Sequence, residues 1–159
     1  MPTGPAARLT DTTAHGAPLA PGPGSATVLI GNLPAWRAVP LAAAAGVASA
    51  GTTAAATVNA AYAAMTAAAG TPGAPAAVAA YTTAQTTATT SMQSLMKGTG
   101  ADTSMCPMLP PPHGPGVVIT GSVTVLINGF PASRVGDTIQ EATSVNTVAL
   151  GCMTVIIGG

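Results

Sequence analysis

Four side chains of this chain are the natural ligands of a soft metal ion: His15, Cys106, His113 and Cys152. They are all the histidines and cysteines it has. Zinc takes tetrahedral nitrogen and sulfur donors, and two cysteines with two histidines make an ordinary structural set. Cys106 and His113 bracket "CPMLPPPH", a loop that its prolines hold stiff. That spacing is not a zinc-finger signature, so it does not define a site alone. A Cys106–Cys152 disulfide is the competing use of the thiols. His15 follows the first repeat unit and sits in Ala-His-Gly, a turn context, and Cys152 opens a strand where the other strand copies have serine. A site with four protein ligands leaves no open position for water, which argues against metal-assisted hydrolysis.

Other chemistry is scarce. The acids are Asp11, Asp102, Asp137 and Glu141, and the bases are Arg8, Arg37, Lys97 and Arg134. Arg8 and Asp11 repeat the spacing of Arg134 and Asp137, which reads as a turn bracket or local ion pair rather than a catalytic acid pair. No nucleophile elbow and no Gly-rich phosphate loop with lysine is present. The chain is not expected to be an enzyme. Four scattered bases cannot build a basic face, so nucleic acid is not an expected partner. Charged residues are only 5% of the chain, against about 25% in an average soluble domain. A surface so short of charge is poorly protected against association and suggests cover by another protein.

These residues stand in a repeated frame. "GSATVLIGNLPAWRA" begins at Gly24 and "GSVTVLINGFPASRVGDT" at Gly121; "GCMTVIIGG" runs to Gly159, and "GPAARLTD" stands near the start. In register, Thr27, Thr124 and Thr154 coincide, and the Val, Leu or Ile positions follow. Short β-branched runs bounded by Gly and Pro are strands. The next position is Gly31, Asn128 or Gly158, which predicts a tight turn at positive φ. Three copies of one element suit a small object with pseudo-threefold character.

Between the copies the composition changes. No acidic or basic residue occurs from Ala38 to Met96, and Ala and Thr dominate. Val47, Ala54, Val58, Tyr62 and Met65 form one helical stripe; Val78, Tyr81, Gln85, Ala88, Met92 and Leu95 form a second. "GTPG" at 70–73 separates them, so a helical hairpin is expected. The length of a membrane span is met twice, but Thr, Ser, Asn and Gln are frequent and no basic cluster flanks the segments. A soluble or partner-bound hairpin is the main reading.

The motifs "GPAARLTDTTAHG", "PAWR", "PASRVGD", "CPMLPPPHGPG" and the repeated "TVLI" resemble the PAAR-repeat proteins, named for Pro-Ala-Ala-Arg. The resemblance covers about 1–40 and 98–159. It implies a mainly β fold, a small cone of short strands with pseudo-threefold repeats, carrying residues 41–97 as an inserted Ala-rich helical hairpin. The three parts are then 1–40, 41–97 and 98–159. It implies a structural zinc near the apex, held by His15, Cys106, His113 and Cys152. It also implies a spike-tip cap for a contractile injection device, of the type VI secretion system or a related phage-tail-like particle. One cap would sit on a trimeric β-helical spike through Val28, Ile30, Val125, Ile127, Val155 and Ile157, with cargo attached in some members. With no apolar core region near the N-terminus, no signal peptide is expected. Assembly in the bacterial cytoplasm and export as the particle tip would follow, with membrane contact only during injection. The alternatives are a carrier of a membrane-interacting hairpin and a zinc-dependent toxin. The second has no acid or base in the inserted part before Lys97, its last residue.

Overall fold

The computed structural model describes residues 3–109 and 111–159. Met1 and Pro2, which begin the first part of the sequence reading, and Pro110 of its proline turn lie outside the described residues. The fold is mainly β with an inserted helical hairpin. Among the described residues there are ten short strands: β1 (Gly4–Ala6), β2 (Leu29–Ile30), β3 (Leu33–Pro34), β4 (Thr103–Cys106), β5 (Gly114–Val118), β6 (Leu126–Ile127), β7 (Phe130–Pro131), β8 (Thr138–Glu141), β9 (Val145–Thr147) and β10 (Cys152–Ile157).

The repeats fold as three equivalent antiparallel pairs. Leu29 faces Pro34, and Leu126 faces Pro131. The third pair comes from distant parts of the sequence: Ile156 of β10 faces Pro5 of β1. The isolated Pro-Ala-Ala-Arg near the start and the isolated "TVIIGG" are therefore two halves of one unit. The two hairpins within the chain turn at Gly31-Asn32 (φ 54° and 64°) and Asn128-Gly129 (φ 53° and 80°). Both central residues at positive φ are what a two-residue turn with strand-matching twist requires, and Asn and Gly accept it at low cost.

The units close into a ring. The N–H of Ala7 donates to Ser133 O at 2.9 Å, that of Ser133 to Trp36 O at 3.1 Å, and that of Trp36 to Ala7 O at 2.9 Å. A second cycle runs beside it, with Leu9 donating to Pro34 O, Ala38 to Pro131 O and Val135 to Pro5 O. Each Pro-Ala-x-Arg segment is thus paired with the next one round the ring. Ala6, Ala35 and Ala132 are fully buried at equivalent places, where a larger side chain has no room.

Ile30, Ile127 and Ile157 meet with these alanines and Cys152 in an inner apolar cluster. A middle cluster of Ala7, Leu19, Trp36, Ala38, Val118, Ile139 and Val148 follows along β5 and β8. Burying a Val or Ile side chain contributes about 1.5–3 kcal/mol, so these small clusters supply much of the stability of a charge-poor fold.

Helix α1 spans Leu41–Ala67 and α2 spans Ala74–Thr99. Alanine favours the helix, and the threonines bond back to their own helix: Thr53 and Thr57 donate to Ser49 O and Thr53 O, and Thr82 and Thr83 to Val78 O and Ala79 O. Gly100 ends α2 in the left-handed region, at φ 74°. The stripes are broadly those of the sequence, with Val47, Val58, Ala88 and Met92 buried; Met96 is buried where Leu95 was expected, and Leu95 and Val78 face outward. Val47, Met92 and Met96 cover Val39, Val117 and Ala142. At Gly51 the helix backbone lies against the Gln140 side chain, where a Cβ would collide. The hairpin therefore leans on β5 and β8.

Candidate metal centre and the ring that builds it

Each unit of the ring is tied by an arginine and an aspartate. Arg8 binds Asp11 through its backbone N–H (2.8 Å), Nε (3.0 Å) and a terminal nitrogen (2.9 Å). Arg37 binds Asp102 in the same three ways, at 2.9, 2.9 and 2.7 Å. Arg134 donates its backbone N–H and Nε to Asp137 at 2.8 and 3.1 Å. The repeated spacing is thus a turn bracket. In the second unit the aspartate lies 65 residues away in sequence. The helical hairpin is inserted inside that bracket, between the arginine and its aspartate, and the bracket still forms.

From each aspartate the chain runs on four residues to one potential ligand: Asp11 to His15, Asp102 to Cys106 and Asp137 to Glu141. The three ring units therefore deliver one donor each. His113, just before β5, adds the fourth. The four donor atoms lie within 4.8 Å of one another. His15 Nδ1 and His113 Nδ1 are 3.2 Å apart, and each is 3.7 Å from Cys106 Sγ. Glu141 Oε2 is 3.2 Å from His15 Nδ1 and 2.9 Å from His113 Nδ1. A tetrahedral zinc with bonds of about 2.0–2.3 Å has neighbouring donors about 3.3–3.7 Å apart. The separations here, 2.9–3.7 Å for the five pairs above and none over 4.8 Å, lie around that range, and the nitrogen, sulfur and oxygen donors are of the kinds zinc takes, so the residues present fit that ion.

The electrostatics point the same way. Glu141 is 1% exposed, and its Oε2 accepts no well-formed hydrogen bond, its near polar neighbours being the ring nitrogens of the two histidines. Leaving a buried carboxylate oxygen without a partner is costly. Burial pushes the Cys106 thiol up, and the Glu141 carboxylate beside it pushes the same way; the Met108 N–H acts against both. A dication at the centre reverses that balance, because it takes thiolate and carboxylate directly.

The sequence reading brought three of these residues forward, and His15, Cys106 and His113 do converge. Cys152 lies elsewhere. It belongs to the inner apolar cluster, and its sulfur is 3.3 Å from the Thr154 hydroxyl. Both cysteines are free. The Thr154 hydroxyl lowers the Cys152 thiol, helped by the N–H groups of Thr154 and Val155 and by Arg8. Ser25 and Ser122 accept the corresponding N–H groups in their units, at 2.9 Å from Val28 and 3.0 Å from Val125. Cys152 stands in for a serine at a turn. The fourth corner of the cluster is Glu141, which the sequence reading passed over. Its signal was present: it stands as far beyond Asp137 as His15 stands beyond Asp11.

The six residues expected to meet a partner divide by burial. Ile30, Ile127 and Ile157 are 8%, 5% and 5% exposed, turned into the inner cluster, so they cannot form an outer face. Val28 is half-buried, and Val125 and Val155 are exposed. The side chains that stand outward are the ones between: Leu29, Leu126 and Ile156, each 60% exposed. Alternation along a strand makes this division: one residue of each pair goes inward and its neighbour outward.

A closed ring of three Pro-Ala-x-Arg units, with one donor carried from each, defines a small pseudo-threefold β fold with a side-chain cluster that could hold a metal ion. Residues 110–159 match the family model of the PAAR motif. That segment holds His113, Glu141, the Pro-Ala-Ser-Arg turn of the third unit and the closing strand, and the match is consistent with a PAAR-repeat protein, as the resemblance implied. Searches of curated proteins and of solved structures returned no match.

Proposed function

We propose that the protein caps the end of a trimeric β-helical spike in a contractile injection device. The observation that carries this reading is the outward triplet of Leu29, Leu126 and Ile156, presented at equivalent places by three units of one closed ring. A trimer ends in three equivalent surfaces, and one chain with internal threefold repetition offers one apolar side chain to each. Burying them contributes roughly 25 cal/mol per Å² of apolar surface. The cap is assembled in the bacterial cytoplasm and leaves as the particle tip, with or without attached cargo.

The ion in this reading is zinc, held by His15, Cys106, His113 and Glu141. When bound, it supplies cross-linking free energy to arms that have little apolar bulk of their own. The chain's residues deliver the donors and exclude water. No catalytic step is assigned, because Asp11, Asp102 and Asp137 are spent in brackets and Glu141 in the cluster.

The test uses the full chain and the spike encoded beside it, with the mass of the complex measured in solution. One cap per trimer is expected. Leu126→Asp, at an exposed position, should leave the cap folded and abolish the complex. Ile127→Asp, one residue on and buried, should unfold it. Three caps per trimer, or a Leu126→Asp cap that binds as well as the parent, would overturn the proposal.

A second reading, contact of the hairpin with a bilayer during injection, rests on α1. Its 27 residues are long and apolar enough to cross a membrane by length and composition, and only 17% of its apolar window is buried. Flotation of the protein with lipid vesicles tests it; a protein that stays at the bottom of the gradient counts against it.

A further inference from the structure

We propose that Asn146 makes Glu141 a one-oxygen ligand and thereby restricts the cluster to a four-coordinate ion of the zinc type. The inference rests on the metal reading above. The Glu141 carboxylate is divided. Oε2 faces the two histidines, while Oε1 accepts a hydrogen bond from Asn146 Nδ2 at 2.8 Å. Asn146 is 4% exposed and sits in β9, across the turn from β8.

Its amide has one sensible orientation. Oδ1 accepts from the backbone N–H of His15 at 3.2 Å and from that of Thr147 at 2.7 Å. Reversing the amide would aim its own N–H groups at both of those donors. The NH2 group must therefore face Glu141. One side chain thus fixes the carboxylate of one ligand and the backbone of another. Gln140 Nε2, bonded to Glu141 O at 2.9 Å and Ser144 O at 3.0 Å, holds the β8–β9 turn that places Asn146.

The consequence is a choice of ion. Calcium takes about six to eight oxygens and readily uses both oxygens of a carboxylate. With Oε1 already engaged, Glu141 offers one oxygen, and the cluster presents two imidazole nitrogens, one sulfur and one oxygen. That set suits zinc and its close analogue cobalt(II). A hydrogen bond to a ligand's free atom typically governs metal affinity by about 10–100-fold.

Asn146→Ala removes the donor toward Glu141 and the acceptor toward His15 and Thr147 without adding charge. Asn146→Asp keeps the side-chain shape and that acceptor, but replaces the donor with an oxygen and adds a negative charge beside Glu141, so the effect of losing the donor is the part the two variants share. The full-length proteins are stripped with a chelator. They are then titrated with zinc against a competing chelating dye and, separately, with cobalt(II), read by its visible bands. Circular dichroism in saturating zinc checks that each variant is folded. For Asn146→Asp we expect zinc binding weakened about 10–100-fold. The intense bands of four-coordinate cobalt should give way to the weaker bands of higher coordination. Asn146→Ala should shift the same way. Folded variants with the parent's zinc affinity and the parent's cobalt spectrum overturn the inference and leave the metal reading standing. A parent protein that takes up neither zinc nor cobalt overturns the metal reading itself, and the inference falls with it.

Discussion

Replacing Asp102 by alanine should be among the most damaging single changes in the ring. Asp102 is 1% exposed and accepts three hydrogen bonds from Arg37, one of them from its backbone. Truncation removes all three and leaves the guanidinium, 16% exposed, over the face of Phe130 at 5.3 Å. Breaking a buried ion pair from one side costs about 3–5 kcal/mol. Because Arg37 keeps some water contact and its aromatic neighbour, the lower end applies, about 3 kcal/mol. The comparison is Asp11→Ala, which loses the same three contacts in a bracket only three residues long, with Arg8 18% and Asp11 8% exposed. The backbone bond of each bracket, Asp11 N–H to Arg8 O and Asp102 N–H to Arg37 O, remains in both variants. About 1–2 kcal/mol is expected for Asp11→Ala, since the pair is wetter. The gap between the two has a topological cause: Asp102 fastens the chain where it returns from the hairpin, directly ahead of β4 and Cys106. Urea unfolding of the zinc-saturated proteins measures both losses. An Asp102→Ala protein that loses no more than Asp11→Ala would refute the idea that this bracket locks the insertion into the ring.

Cys106→Ser should remove the single bound zinc and lower the unfolding midpoint, whereas Cys152→Ser should keep the metal and cost under about 1 kcal/mol, because Ser25 and Ser122 already accept the same N–H groups; elemental analysis and thermal melts separate the two. Deleting residues 41–97 with a short linker should leave a ring that folds but is weakened by several kcal/mol, since Val39, Val117 and Ala142 lose their cover of Val47, Met92 and Met96; urea unfolding checks this, and an unchanged midpoint would mean the hairpin contributes nothing to the β part. Chelation of zinc should raise hydrogen exchange in the arms around 12–17, 103–115 and 138–147 while sparing Ala7, Trp36 and Ser133 in the ring, as read by exchange mass spectrometry.

Much of this fold is legible in the sequence because its signals are local. Strand copies, positive-φ turns at Gly31 and Asn128, and Ala-rich helices are all set by residues within a few positions of each other. What escapes is non-local. No periodicity shows that Pro5 pairs with Ile156, because the partners lie at opposite ends of the sequence. Nor does it show that Arg37 has an aspartate, because the insertion carries it 65 residues off. The outward and inward halves of "TVLI" were also hidden. Nearly continuous apolar runs do not say which residue faces in, and only ring closure decides that Ile30 is buried and Leu29 exposed.

The metal cluster shows the same division more sharply. His15, Cys106 and His113 stand out by residue type, whereas Glu141 is one acid among four and looks like any other until the repeat is followed past its aspartate. Counting four residues on from Asp11, Asp102 and Asp137 reaches His, Cys and Glu in turn. The ring therefore fixes the places of three donors, and the chemical identity at each place is free to change so long as it can bind. Cys152 shows the converse. It has the right chemistry, but its repeat position is that of Ser25 and Ser122, at the entry to the outward strand rather than beyond the bracket. A cysteine at that place caps a turn. In a chain built from repeats, position within the unit decides what a side chain can do before its chemistry does. The insertion obeys the same rule: the ends of the helical hairpin return to Arg37 and Asp102, so the bracket, the ring and the donor beyond it stand where the other two units put theirs.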